Sequence, residues 1–282
     1  MEILKSVVLG IIQGLTEFFP VSSSGHLVIF PYFFKWEQPS LFFAVILHLG
    51  TLLSLLIILY RDAVNIIKIF FKGIFIKKMR KNEDFKMALF IIIAIIPAAI
   101  AGYFINDVIE NIFSRPVFTA FFLFITAAVL VLFEFVGKRI EDKYIAENGR
   151  EKNFNYFIAL ITGIGQAVAI LPGVSRSGLT ISSARIFGIK RKEAVKFSFL
   201  ISIPVIFGSF VFELCDFLKS KESISAGFSV LPLIAGFIAA FISGLFAIKF
   251  LLKISSKRNL NFFALYCVAL AIVFFIVYFF RK

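Results

Sequence analysis

Pro20–His26 reads PVSSSGH, and Pro172–Gly178 reads PGVSRSG. Sliding the chain by 153 residues lays Gln13 on Gln166, Val21 on Val174, Ser22 on Ser175, Ser24 on Ser177 and Gly25 on Gly178, while Ser23 falls on Arg176. Each turn sits between apolar stretches that are too short or too interrupted to be ordinary spans. Ile3–Phe19 is punctuated by Gln13, Thr16 and Glu17 and stopped by Pro20, and Leu27–Phe34 ends at Lys35–Glu37. Likewise Phe157–Leu171 holds Gly163, Gly165 and Gln166 before Pro172, and Ile181–Ile189 closes at Lys190–Lys192. Proline cannot continue a helix, and non-helical backbone at membrane depth survives only inside protein or beside a wet cavity. Both stretches therefore read as re-entrant helix–turn–helix hairpins. Full spans over Ile3–Phe19 and Phe157–Leu171 are the competing reading.

Outward from the hairpins, each is followed by three segments long and apolar enough to cross a hydrocarbon core of roughly 30 Å. They lie near Leu41–Tyr60, Met87–Ile105 and Val117–Val136, then Ala194–Leu214, Phe228–Ile248 and Phe262–Phe280. Hydrophobic residues make up 60% of the 282 residues and 40 are phenylalanine, more apolar surface than a water-soluble domain can hide. Three spans between two like motifs reverse the direction of the second. The expected fold is thus an all-α polytopic membrane protein with an inverted-topology repeat, six transmembrane helices and two re-entrant helix hairpins. It forms one integral membrane domain over 1–282, with repeat halves at about 1–137 and 153–282. The amino terminus lacks the basic start of a cleavable signal peptide. Cys215 and Cys267 suggest neither a disulfide nor a metal site.

The formal charge of +13 is unevenly distributed. With the amino terminus outside, Arg61–Lys86, Lys138–Lys152, Arg185–Lys196 and Lys249–Arg258 fall inside and carry 22 of the 30 Lys and Arg residues. Lys5, Lys35, Arg115, Lys219, Lys221, Arg281 and Lys282 stay outside. Positive charge favours the cytoplasmic side, so both termini are expected to be extracytoplasmic. The charge reads as orientation and attraction to membrane lipids; nucleic-acid binding is not expected.

Chemistry concentrates in the two turns. Gln13 and Glu17 are four apart and share a helical face, and Glu17 is a costly carboxylate in an apolar segment. Ser22, Ser23 and Ser24 supply hydroxyls, Gly25 removes bulk, and His26 stands in the first turn of the next helix, where it can move a proton near neutral pH. In the second turn Ser175 and Ser177 flank Arg176, and Gly178, Thr180 and Ser182 open the following helix. An arginine fork fits paired phosphate oxygens, and two helix starts present free amides to an anion. The set points to phosphoryl transfer, where positioning and charge neutralisation do most of the work. The plainer alternatives are a serine–glycine packing patch and a structural Glu17–Arg176 ion pair. His48 reads as a buried hydrogen-bonding residue rather than a catalyst, Glu134 and Glu213 as span-end residues reaching the interface, and Lys196 as a snorkelling side chain.

QGLTEFFPVSSSGH (Gln13–His26) and LPGVSRSG (Leu171–Gly178) resemble the two signature motifs of undecaprenyl-diphosphate phosphatases of the bacitracin-resistance type. The resemblance extends over the full chain, through His48–Thr51 and Phe197–Leu200, with Gln13 at a position where the family has glutamine or glutamate. It implies hydrolysis of an isoprenyl diphosphate lipid to the monophosphate and free phosphate in a bacterial inner membrane, supporting the carrier cycle of peptidoglycan synthesis and bacitracin resistance. It also implies a divalent cation, magnesium or calcium, with Glu17 as its protein ligand. By position, Arg176 would clamp the diphosphate, and Gln13, Ser22, Ser24, Gly25, Ser175, Ser177, Gly178 and Thr180 would line the phosphate site. Ser23 is favoured as nucleophile with His26 as its base, while attack by His26 or by water stays open. An isoprenyl-phosphate transporter using the same site is the alternative function. A homodimer is left open.

Overall fold

A computed structural model describes residues 2–113, 116–219, 230–257 and 259–281. Side chains are described outside 41, 105–115, 213 and 216–229. Arg115, Lys221, Arg258, Lys282 and the expected span start at Phe228 lie outside the described residues, as do the side chains of Glu213 and Lys219. The chain is helical, and the described residues add only an isolated bridge between Lys152 and Ile189.

Six helices are long and apolar enough to cross a membrane. They are α3 (Leu41–Phe75), α4 (Glu83–Phe113), α5 (Pro116–Asn148), α8 (Arg191–Lys219), α9 (Val230–Ser255) and α10 (Asn261–Phe280). Most outrun the apolar windows that announce them. The 35 residues of α3 rise about 52 Å, well beyond a hydrocarbon core, so its charged end from Arg61 continues past the apolar layer. The helix bends just before this end, at Leu59, whose backbone leaves the helical region. Lys196 does not simply snorkel: its ammonium reaches Asp62 of α3 at 2.7 Å.

Four shorter helices form two pairs. In the first, α1 (Glu2–Phe18) ends at the Pro20 turn and α2 (Ser23–Phe34) follows. The start of α1 and the end of α2 lie together, with Lys5 over the Trp36 ring. In the second, α6 (Tyr156–Val168) and α7 (Arg176–Arg185) close in the same way. Lys152 bridges Ile189, and Lys190 pairs with Glu151. Both second helices begin earlier than their apolar runs suggest, because Ser22 and Ser175 cap them and draw polar residues into the first turn. After α7 the chain turns at Gly188 (φ +79°).

The pairs are completed crosswise. α1 packs along α9, and α6 packs along α4. The first seam is built from small residues: Gly10 faces the Gly236 carbonyl, and Gly14 fits against Ala240, Ser243 and Gly244. Such residues let helix backbones approach where lipid offers no hydrophobic drive. α10 spans the distance between the two pair bases. Arg281 at its end donates to Tyr32 O (2.6 Å) and Phe33 O (2.8 Å) of α2. Its start lies beside the opening of α8, Asn261 and Arg191 lining one cavity, while Arg191 also reaches Ser255 O at the end of α9.

Glu134 corrects a sequence expectation. It is buried rather than interfacial, gripped by Arg185 and Arg191. Arg185, only 1% exposed, also reaches Glu141 at 2.7 Å and the Ile189 carbonyl at 2.6 Å. A buried charge is tolerable when paired and hydrogen-bonded on every side, and this arginine is.

Candidate active site

The two turns meet. Ser177 Oγ donates to Phe19 O at 3.0 Å, joining the second turn to the end of α1. A Cβ on Gly25 would stand 3.3 Å from Gly173 Cα, so glycine lets the turns touch. Gly173 itself holds a φ of +97°, and Thr126 secures this turn by donating to Gly173 O and accepting from Ser175 N–H, each at 3.0 Å. The local design is the same in both. Ser22 Oγ accepts from Gly25 N–H (3.2 Å) and approaches Ser24 Oγ (3.3 Å). Ser175 Oγ accepts from Gly178 N–H (3.0 Å) and approaches Ser177 Oγ (3.3 Å). Ser22 takes a positive φ of 69°, a strained backbone for a residue with a Cβ.

Glu17 is where the turns converge. It is 6% exposed. Its Oε2 accepts from Ser23 Oγ at 2.6 Å and from Gln13 Nε2 at 2.9 Å. Its Oε1 accepts from Arg176 Nη2 at 2.6 Å, a bond between residues 159 apart in sequence. The other terminal nitrogen, Arg176 Nη1, is buried without a partner among the described residues, and so is Gln13 Oε1. One donor and one acceptor thus stand unused at the same place, beside the starts of two capped helices.

Ser23 and His26 do not form the expected pair. His26 Nδ1 bonds the Ser22 carbonyl at 2.7 Å, which only an N–H can do, so the neutral ring offers Nε2 as an acceptor. Nε2 takes the Tyr266 hydroxyl at 2.7 Å, and the two rings stack with 7° between their planes. Both ring nitrogens are occupied, and the Ser23 hydroxyl goes to Glu17 instead. The Thr180 hydroxyl is engaged by Arg176 O (2.9 Å) and by Ser198 Oγ of α8 (2.6 Å).

Two residues belong to this place that the sequence reading set apart or missed. His48 of α3 donates from Nδ1 to Ala44 O (2.7 Å) and sets Nε2 3.4 Å from Glu17 Oε2. Tyr266 of α10, a tyrosine within an apolar run, is the partner of His26 from 240 residues away. No spacing signal connects either to the motifs.

The bacitracin resistance protein BacA family model matches residues 6–273. The chain belongs to this family. Among its relatives, the undecaprenyl-diphosphatase of Thermodesulfovibrio yellowstonii is 41% identical over 284 residues, covering 100% of this chain and 99% of the relative. That of Caldicellulosiruptor bescii is 40% identical over 282 residues, covering 100% and 99%. That of Methanobrevibacter smithii is 38% identical over 283 residues, covering 98% and 97%. In this BacA family member, the described residues contain no group of three His, Cys, Asp or Glu that could hold a metal ion alone. The orphaned Gln13 Oε1 beside the Glu17 carboxylate offers hard oxygen ligands, which fits a divalent cation that arrives with further oxygens of its own.

Proposed function

We propose that this chain hydrolyses undecaprenyl diphosphate to undecaprenyl phosphate and inorganic phosphate at the Glu17–Ser23–Arg176 cluster, recycling the lipid carrier of peptidoglycan synthesis. The observation that carries the reading is the Ser23 hydroxyl on a buried carboxylate, 2.6 Å away, beside an arginine with an unused donor. A serine hydroxyl needs a base to become a nucleophile, and Glu17 is already in contact with its proton. In the proposed reaction Ser23 Oγ bonds the terminal phosphorus as the bond to the bridging oxygen breaks. The proton passes to Glu17, and the lipid monophosphate leaves. Water then cleaves the phosphoseryl bond and frees inorganic phosphate. Arg176 Nη1 and the amides that open α2 and α7 stabilise charge on the transferred group. His26, tied to Ser22 O and Tyr266, holds the first turn of α2 and so aims Ser23. Glu17 and Gln13 would hold a divalent cation together with diphosphate oxygens, and that ion supplies further charge neutralisation.

The membrane disposition belongs to the same proposal. The α1–α2 and α6–α7 pairs are re-entrant hairpins inserted from opposite faces, in two inverted halves. Support comes from α10, whose end meets the base of the α1–α2 pair and whose start shares a cavity with Arg191 beside the base of the α6–α7 pair, and from the crosswise packing of α1 on α9 and α6 on α4. Both termini are taken as extracytoplasmic from the distribution of basic residues. A groove lined by Val7, Ile11, Leu15, Ile238, Ile242 and Phe246 gives an apolar tail a path along α1.

The test is phosphate release from an isoprenyl diphosphate by purified protein with magnesium or calcium. Ser23→Ala should fall to background, and Arg176→Ala by about a hundred- to a thousandfold. Near-full turnover of a folded Ser23→Ala variant would overturn the serine route. No release by the folded wild type would favour lipid transport at the same site.

A further inference from the structure

A second polar site stands well away from the hairpin tips. The C-terminal half of α5, the start of α8 and residues Lys257, Asn259 and Asn261 border an open cavity of about 820 Å³. Its wall is divided. On one side are Val131, Leu132 and Phe135, which also face outward from the helix bundle, exposed by 43, 59 and 57%. On the other are Lys138, Arg139, Arg191 and Lys257, with Glu134 and Asp142 among them.

The carboxylates do not cancel this charge. Glu134 is consumed by Arg185 and Arg191, and Arg185 goes on to Glu141. Asp142 is exposed. Lys138, Arg139 and Lys257 make no ion pair among the described residues. The Arg139 guanidinium lies over the Phe135 ring, 4.1 Å from its centre, at the border between the apolar and the basic wall. Asn261 is also in the lining, and its Oδ1 is buried with no hydrogen-bond partner among the described residues.

We propose that this cavity binds the headgroup of an anionic phospholipid. The phosphate sits among Lys138, Arg139 and Lys257, a headgroup hydroxyl donates to Asn261 Oδ1, and the acyl chains follow Val131, Leu132 and Phe135. Four cations against two carboxylates leave the lining net positive, which calls for an anion, and basic clusters at the ends of membrane helices gather anionic lipid. The exposed apolar wall continuous with them selects a lipid over free phosphate, which has no use for it. The site shares no residue with the Glu17–Arg176 cluster and rests on neither the phosphatase reading nor the orientation.

Detergent-purified full chain would be titrated with phosphatidylglycerol, phosphatidylcholine or inorganic phosphate, and bound lipid counted by native mass spectrometry. The expected result is one tightly retained phosphatidylglycerol, weakened about tenfold or more by Lys138→Gln/Arg139→Gln/Lys257→Gln. Should the triple variant not fold, Lys138→Gln/Lys257→Gln makes the same measurement with the Arg139–Phe135 contact intact. A charge-matched control, Lys77→Gln/Lys78→Gln/Lys81→Gln in the exposed turn Lys77–Lys81, should retain the lipid. Equal loss in the control means general surface attraction and overturns the proposal. So does equal retention of phosphatidylcholine, or displacement of the lipid by millimolar inorganic phosphate.

Discussion

At the scale of single residues, the molecule turns on how many partners one carboxylate can hold. Glu17 accepts from Gln13, Ser23 and Arg176, and His48 Nε2 stands 3.4 Å away as a fourth neighbour. His48 packs its ring edge against this carboxylate and limits where it can turn. His48→Ala should slow phosphate release by about tenfold, roughly 1.4 kcal/mol of barrier, while leaving thermal unfolding close to wild type. Turnover within twofold of wild type would return His48 to the minor role its sequence context suggested. The convergence of Glu17 and Arg176 was legible, since each is an expensive charge in an apolar chain and a repeated motif carries both. The partner of Ser23 was not. Hydroxyl, carboxylate and imidazole all lie within ten residues of one another, and only the bend at Ser22 decides which two touch. Tyr266 was beyond reach for a different reason: one tyrosine in an apolar helix looks like any other until the fold brings it to His26.

At the scale of elements, the seam between α1 and α9 sets the depth of Gln13 and Glu17. Gly14 lies one position from Gln13, and a Cβ there would come within 2.5 Å of Ala240 O and 2.7 Å of Gly244 N. Gly14→Leu should push the helices apart, costing about 1–3 kcal/mol or more in stability. Phosphate release should fall with it, because Glu17 moves with α1. Gly208→Ala in α8, where an added Cβ meets nothing within 4 Å, is the control and should leave thermal unfolding unchanged or slightly raised. Equal melting temperatures for the two variants would dismiss the seam as a positioning device. The six spans were readable because about 20 apolar residues leave few alternatives. Their true ends were not, because α3 and α5 run on through charged residues that a hydropathy window rejects. Glu134 was misread for a related reason. Its position near a span end says nothing of Arg185 and Arg191 arriving from elsewhere in the chain.

At the scale of the whole molecule, the end of α10 meets the base of the α1–α2 pair, and its start, about 30 Å away along a 20-residue helix, shares a cavity with Arg191 beside the base of the α6–α7 pair. Reporter fusions at Trp36 and Lys190 should accordingly report opposite sides of the membrane, the first outside and the second inside. The same side for both would dissolve the inverted arrangement while leaving the Glu17–Arg176 contact intact. The repeat was visible in the sequence only as a few matched letters, whereas crosswise packing depends on helices that share no motif. That packing has a consequence for how the chain is made. α1 emerges first from the ribosome, yet the helix it packs along, α9, begins at Val230. At about 5–20 residues per second the wait lasts roughly ten to forty seconds. Throughout it the glycine face of α1 lacks its counterpart, and for most of it, until residue 176 is made, Glu17 also lacks Arg176. The nascent α1–α2 pair must be sheltered in that interval by the insertion machinery or held at the membrane surface. Seating α1 against α9 is then among the last events of biogenesis, and a chain truncated before α9 keeps Glu17 and Arg176 but has no counterpart for the glycine face of α1.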